Sequence, residues 1–423
     1  MARIVQKYGG SSVADAASIK RVARRIARAR QEGNDVVVVI SAMGDTTDEL
    51  MDLALEVSPQ PQPRELDMLL TTGERQSAAL LAMALNDLGV PARSYTGSQA
   101  GVITTGLHGN ARIIDITPGR VNKSLEAGNV TIVAGFQGVS QDTKDVTTLG
   151  RGASDTTAVA LAASLGAEYC EIYTDVDGVF TADPRIVPAA ARIPEITYEE
   201  MMEMAACGSK VLHLRCVEYA RRENIPVHVR SSFNDKPGTW VTGHTDMKKG
   251  NEMEQAIITG VASDRGEAKI TVVGVPDQIG KAARIFDVIA EAEINIDVIV
   301  QNVSAATGRT DISFTLPMSD GKRAIDALKA GQDEIGFEKL LYDDQIGKLS
   351  VIGVGMRTHP GVTARFFDAL AEQDINIDMI STSEIRISVV VEVDLFDRAV
   401  RAAHTAFGLD ADGEAVVYAG TGR

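Results

Sequence analysis

"KITVVGVPDQIGKAARIFDVIAEAEINID" runs from Lys269 to Asp297, and "KLSVIGVGMRTHPGVTARFFDALAEQDINID" runs from Lys348 to Asp378. The opening lysines and the Gly-Val pairs match at an offset of 79, Lys269 to Lys348. After a two-residue insertion, Gly280 and Gly361, Phe286 and Phe367, and the two copies of INID match at an offset of 81. One tetrapeptide could recur by chance, but matched flanks of this length do not, so the carboxyl-terminal part is a duplicated module of about 75 to 80 residues. Each copy reads alike. A β-branched strand (269–275; 348–354) enters a Gly-containing loop, and a helix of 3.6-residue apolar period follows (280–292; 361–373). INID then opens a second strand. A third strand (311–316; 385–392), a second helix (319–330; 394–407) and a closing strand (337–342; 414–419) complete a βαββαβ order of the ferredoxin-like kind. A further strand at 256–262 is expected to add to one of the sheets.

Upstream the pattern changes. Strands at 3–8, 35–40, 131–135 and 169–173 alternate with helices at 12–31, 64–88 and 154–166. "VVVVI" and "TIVAG" are continuously apolar, as strands are when helices cover both sheet faces. The expected architecture is an α/β domain with a largely parallel sheet over 1–245, a linker and added strand over 246–264, and modules at 265–344 and 345–423. "PQPQP" at 59–63 reads as a stiff loop, and the polar stretch 242–255 as the boundary.

The chain has 423 residues, 44% hydrophobic and 24% charged, enough for two or three packed domains. Its 42 basic and 58 acidic residues give a net charge of −16, which argues against non-specific nucleic-acid binding. An anionic substrate would therefore require basic residues gathered locally. The three cysteines, Cys170, Cys207 and Cys216, lack metal-ligand spacing and fit a reducing compartment. The amino-terminal "MARIVQKYGG" lacks the apolar core of a signal peptide, and no apolar run is long enough to span a membrane, so a cytoplasmic protein is expected.

Several stretches could carry chemistry. "QKYGGSS" (6–12) ends a strand with two glycines and opens a helix with Ser at the cap, which suits a phosphate cradle with Lys7 as a mobile charge. It equally suits a plain β–α turn, and it is not a Walker A loop. In "TTLGRGASDTTAVALAASLGA" (147–167), Arg151 sits between glycines ahead of a helix capped by Ser154 with Asp155 in its first turn. An Arg fork there suits a carboxylate, and the alternative is an ordinary N-cap beside a surface Arg. "YTDVDGVFTADPR" (173–185) resembles half an EF-hand without its Glu, or a long turn lining a nucleotide. Arg185, and Lys210 in "CGSKVLH", would add positive charge. Glu74 in "TTGERQSAAL" could receive an ammonium group or simply favour the helix dipole.

"KYGGSS", "SAMGDTTDEL", "TTGER", "TTLGRGASDTTA", "TDVDGVFTADPR" and "GSKVLH" occur in the order seen in aspartate kinases, and the tandem repeat resembles their ACT domains. The likeness covers essentially the whole chain and is nearest the actinobacterial type regulated by lysine plus threonine. It implies transfer of the ATP γ-phosphoryl group to the side-chain carboxylate of L-aspartate, with Mg²⁺ arriving on the nucleotide. The resemblance implies that Lys7 neutralises the transferred phosphoryl and Asp155 orients Lys7. It places Arg151 on the substrate α-carboxylate, Glu74 on its ammonium, and Ser41, Thr47, Gly152, Ala153 and Ser154 around the substrate. Lys7, Tyr8, Gly9, Gly10, Thr174, Asp175, Phe180, Asp183, Arg185, Lys210 and Val211 would surround ATP. No protein-held metal site is implied.

The ACT resemblance also implies small amino acids, here lysine and threonine, between paired modules. The first-module positions are Asp277, Ile279, Gly280, Asn295, Ile296, Asp297 and Gln301. Those of the second are His359, Gly361, Val362, Thr363, Asn376, Ile377, Ser383 and Glu384. INID also suits a structural turn with Ile inward and polar residues outward, and both readings stand. Acetylglutamate, glutamate and uridylate kinases share the phosphate-loop logic but generally lack this combination of motifs and repeats, and a non-catalytic amino-acid sensor would not need Lys7, Glu74, Arg151 and Asp155. ACT pairing implies at least a homodimer. The likeness also implies a shorter regulatory subunit from an internal start near Met247 or Met253.

Overall fold

The computed structural model describes residues 2–150, 152–244, 257–304 and 308–418. Arg151, Met247 and Met253 lie outside the described residues. The amino-terminal domain is built on an eight-stranded sheet. Its order is Glu195–Thr197, Thr239–Thr242, Val227–Ser231, Tyr169–Thr174, Arg3–Tyr8, Asp35–Ile40, Val130–Ala134, Ala92–Tyr95. Every neighbouring pair is parallel except Val227–Ser231 with Thr239–Thr242. Val130–Ala134 is buried at every position, as a strand covered on both faces must be. The helix Ala153–Ser164 lies against one face and buries Ala, Val and Leu side chains all round. The helix Ala16–Gln31 covers the other with Ile19, Val22 and Ile26.

Local chemistry refines the expected boundaries. The stretch expected as helix 12–31 is a 3-10 turn, Gly10–Val13, followed by a helix whose N-cap is Asp15, accepting from the Ser18 amide at 2.7 Å. Ser at the cap of "GGSS" is therefore corrected: Ser12 lies in the turn. The expected helix 64–88 is two helices, Pro63–Leu70 and Thr72–Asp87. A small second sheet, Ile113–Ile116, Val102–Thr104, Gln137–Ser140 and Val146–Thr148 in that order, was not foreseen.

The first module follows its expected order. Its sheet runs Ile299–Ser304, Arg309–Pro317, Glu267–Pro276, Lys339–Asp343, with helices Lys281–Glu291 and Gly321–Ala330. The second runs Gly260–Asp264, Ile346–Ile352, Arg386–Glu392, Met379–Thr382, with helices Val362–Ala371 and Phe396–Ala406. Its fourth strand is thus supplied from ahead of the first module: Gly260–Asp264 pairs antiparallel with Ile346–Ile352. The closing strand expected at 414–419 is overturned for its described residues, which run to the amino-terminal domain, where Val417 bridges Val176. INID also precedes its strand in both copies, since the strands begin at Ile299 and Met379. Ile294 and Ile375 are buried while Asn295 and Asn376 are exposed, the Ile-in, polar-out arrangement.

One seam joins the amino-terminal domain to the second module. Thr197 and Glu200 form a capping box at the helix Tyr198–Ala206. The other oxygen of Glu200 accepts from Thr259 Oγ1 at 2.5 Å. Val261 donates its amide to the Thr181 carbonyl at 2.6 Å.

Candidate active site

In open α/β sheets ligands bind beyond the carboxyl ends of the strands, where loops of neighbouring strands diverge. Two clefts lie there. The larger, about 390 Å³, is lined by Gly10, Thr174, Asp175, Phe180, Asp183, Arg185, Lys210 and Val211 among others. The smaller, about 230 Å³, is lined by Lys7, Ser41, Thr47, Glu74, Gly152 and Ser154 among others. Gly10, Gly44 and Asp48 border both, so the clefts meet there.

Lys7, the penultimate residue of the strand Arg3–Tyr8, points its ammonium at Asp155, with Nζ 2.6 Å from Oδ1 and both side chains largely buried. Asp155 is in the first turn of its helix, where the dipole favours a carboxylate. A Cβ on Gly9 would stand 3.5 Å from Lys7 Nζ. One on Gly10 would stand 2.9 Å from the Gly44 carbonyl oxygen and 3.1 Å from that of Ala42, so only glycine lets these two loops close.

Glu74 is 3% exposed. One oxygen accepts from the Ala42 amide at 3.3 Å, and the other, Oε2, has no hydrogen-bond partner among the described residues. Desolvation pushes its pKa up to about 7, against the smaller opposing effect of backbone amides. A buried carboxyl with an unused oxygen beside a cleft is poised to receive a cation.

The expected cap of the helix Ala153–Ser164 is corrected: its N-cap is Gly152 at φ +74°, with Ser154 inside the first turn. A Cβ on Gly152 would stand 2.8 Å from His213 Cδ2, and burial lowers the His213 pKa. Ala153 lines neither cleft and is fully buried, in a core cluster with Phe136 and Leu149. Tyr8 and Gly9 line neither cleft; the Tyr8 ring stacks on Tyr173 in the core, centroids 4.7 Å apart. Arg185 stands 3.5 Å from Asp175 and 3.9 Å from Asp183. Among the described residues, no group of three or more His, Cys, Asp or Glu is placed to hold a metal.

Gly44, Asp48 and Phe136 also line the smaller cleft, and His213 packs against Gly152 at its edge, positions that the sequence did not single out. Gly44 and Asp48 lie inside "SAMGDTTDEL", and His213 closes "GSKVLH", so their motifs were visible if not their individual parts. Phe136 carried no signal: it lines the smaller cleft at φ +66°, a conformation no motif announces for an aromatic residue.

In the second module a cavity of about 580 Å³ gathers His359, Gly361, Val362 and Thr363 with Ser383 and Glu384, but Asn376 and Ile377 do not line it. In the first, Asp277, Ile279 and Gly280 are exposed at the helix start, with Gly280 at φ +92° matching Gly361 at +103°. Asn295 and Gln301 are exposed and Ile296 half-buried, while Asp297 is engaged by Lys348.

The profile of the amino acid kinase family matches residues 2–231, and that of the ACT domain matches 270–332 and 349–407. An aspartokinase of Mycolicibacterium smegmatis is 66% identical over the full length of both chains. Escherichia coli aspartokinase III, solved with aspartate and ADP in its R-state, is 25% identical at a TM-score of 0.82, covering 95% of this chain and 99% of that one. The same enzyme with lysine and aspartate, in its T-state, aligns at 0.71, covering 96% and 99%. The chain belongs to the amino acid kinase family, in its aspartokinase branch with paired ACT domains. It is accordingly an enzyme, and no helix among the described residues is long and apolar enough to cross a membrane.

Proposed function

We propose that the chain transfers the γ-phosphoryl group of ATP to the side-chain carboxylate of L-aspartate, giving 4-phospho-L-aspartate and ADP, as the entry step to the lysine and threonine families of amino acids. The observation that carries this reading is the meeting of the two clefts at Gly10 and Gly44, with the Lys7–Asp155 pair at the smaller. The attacking carboxylate is already ionised at neutral pH, so catalysis reduces to positioning and charge neutralisation. ATP lies in the larger cleft against Arg185 and Lys210. Aspartate lies in the smaller, its ammonium on Glu74 and its α-carboxylate on Arg151, with Ser41, Thr47 and Ser154 as hydrogen-bond donors. Lys7 faces the charge that develops on the transferred group, and Asp155 holds it there. Mg²⁺ would arrive on the nucleotide, bound mainly by its phosphates and water.

The modules would take lysine and threonine, and the cavity at His359–Thr363 supports a site in the second. Any shorter subunit that begins ahead of Gly260 keeps the fourth strand of that module, which supports an internal start near Met247 or Met253. Trapping the acyl phosphate with hydroxylamine, with ATP, Mg²⁺ and L-aspartate, tests the reaction. Hydroxamate formed with aspartate and suppressed mainly by lysine and threonine together is the expected result. Absence of product with aspartate refutes the reaction, and indifference to both amino acids refutes the regulation.

A further inference from the structure

The second module and the wall of the larger cleft share one apolar cluster. Val176, Phe180, Val187 and Ala190, from the loop after the strand Tyr169–Thr174, are buried together with Phe366 and Phe396 of that module. Among the described residues, the first module's core cluster holds none of the amino-terminal domain.

A polar chain crosses the same seam. The Ala191 amide donates to Thr181 Oγ1 at 2.9 Å, Thr181 Oγ1 lies 2.7 Å from His404 Nε2, and His404 Nδ1 lies 2.9 Å from Asp410 Oδ1. A carboxylate only accepts, so Nδ1 carries the proton and Nε2 accepts from the Thr181 hydroxyl. His404 is fully buried, so each lost link leaves an unpaired polar group.

From Asp410 the chain runs antiparallel to this loop, with bridges Ala190 to Asp410 and Val176 to Val417. Ala411, Ala415 and Tyr418 donate their amides to the carbonyls of Ala189, Pro188 and Asp175 at 2.7, 2.8 and 2.9 Å. The Tyr418 ring stacks on Phe233, centroids 5.7 Å apart. Asp175 and Phe180 line the larger cleft.

We propose that the segment Leu409–Tyr418, anchored through His404, is a positioning strap that holds the loop 174–191 in its nucleotide-binding form, so that the second module, and not the first, sets nucleotide affinity directly. The inference rests on reading the larger cleft as the nucleotide's. A satisfied histidine and a docked tail could instead serve only to hold the fold together, and the test must separate the two.

The full-length enzyme, a chain ended after Leu409, and the variants His404→Ala, His404→Gln and Tyr418→Ala are compared by calorimetric ADP binding, by KM for each substrate, and by thermal midpoint. The shortened chain is expected to lose about tenfold in ADP affinity and to raise KM for ATP by a similar factor, with KM for aspartate within about twofold. His404→Ala is expected to show about a threefold effect of the same kind, largely recovered in His404→Gln, whose amide oxygen can accept from Thr181. A lowered midpoint with both KM values unchanged, or equal changes for both substrates, would overturn the strap. Should the shortened chain not fold, the point variants are judged by the same criterion. Arg185→Ala and Lys210→Ala separate the underlying reading. ADP affinity lost in these two but kept in the strap variants overturns the strap alone. ADP binding unaffected in these two overturns the nucleotide cleft and the strap with it.

Discussion

Lys348 Nζ lies 2.7 Å from Asp297 Oδ2, and Lys269 Nζ lies 3.2 Å from Asp378 Oδ2. The lysine that opens each repeat thus grips the aspartate of the other repeat's INID. The tetrapeptide recurs because its aspartate serves the partner module as its buried isoleucine serves its own. The two grips differ in setting. Lys348 is 1% exposed and also holds Glu267 at 2.5 Å, whereas the Lys269 side chain is 20% exposed.

Replacing Lys348 by Met should therefore destabilise the paired modules by about 3–5 kcal/mol, because Glu267 and Asp297 lose their shared cation. Lys269→Met should cost about 1 kcal/mol or less. Burial lowers the Lys348 pKa, but Glu267 and Asp297 outweigh it and the net shift is upward. Its stabilisation is hence fully present at neutral pH and fades only at strongly alkaline pH. Urea unfolding of both variants checks the contrast, and equal losses would refute it.

Glu74 sets a pH dependence of the same sign in a lower window. Its carboxyl is raised from the usual 4.5 to about 7, so the empty enzyme loses stability as pH rises through that window, by about 3 kcal/mol in all. Glu74→Gln should flatten this dependence and stabilise the empty enzyme at pH 8 while raising KM for aspartate at least tenfold. Aspartate binding at pH 6 should release close to one proton, and none at pH 8.5, read as a buffer-dependent heat in calorimetry.

Lys7→Met should lower kcat by about 10²- to 10³-fold with nucleotide affinity within a few-fold, as for the loss of a preorganised charge. Asp155→Asn should lower kcat less, since the ammonium remains but loses its 2.6 Å partner. Steady-state hydroxamate assays decide. An Asp155→Asn enzyme as active as the parent would remove the orienting role.

Gly10→Ala places a methyl 2.9 Å from the Gly44 carbonyl oxygen, a backbone atom that cannot swing aside. Since Gly10 borders both clefts, KM should rise for ATP and aspartate together, whereas Gly128→Ala, with open space apart from Arg30 Nη2 at 3.9 Å but φ +80°, should change stability alone. Unchanged KM values for Gly10→Ala would show that the loops separate at little expense.

The sequence by itself determined the duplication, the βαββαβ order of its first copy, the largely parallel sheet ahead of it, and the motifs in which Lys7, Glu74, Ser154 and Asp155 lie. Each is written in a local signal: a repeat, a period, or a short run of glycine and polar residues at a strand end. Tertiary structure alone decided which strand closes the second module. Both 256–262 and 414–419 read as β, and nothing local ranks them. Gly260–Asp264 is the strand paired there, and its Val261 also bonds the Thr181 carbonyl, which leaves Ala415 and Tyr418 to bond Pro188 and Asp175. The same holds for Gly152 capping in place of Ser154, for Phe136 at φ +66°, and for the reciprocal grip of Lys348 and Asp297. Strand pairing and buried ion pairs draw their free energy from groups distant in the chain, so no window of sequence contains the competition that settles them.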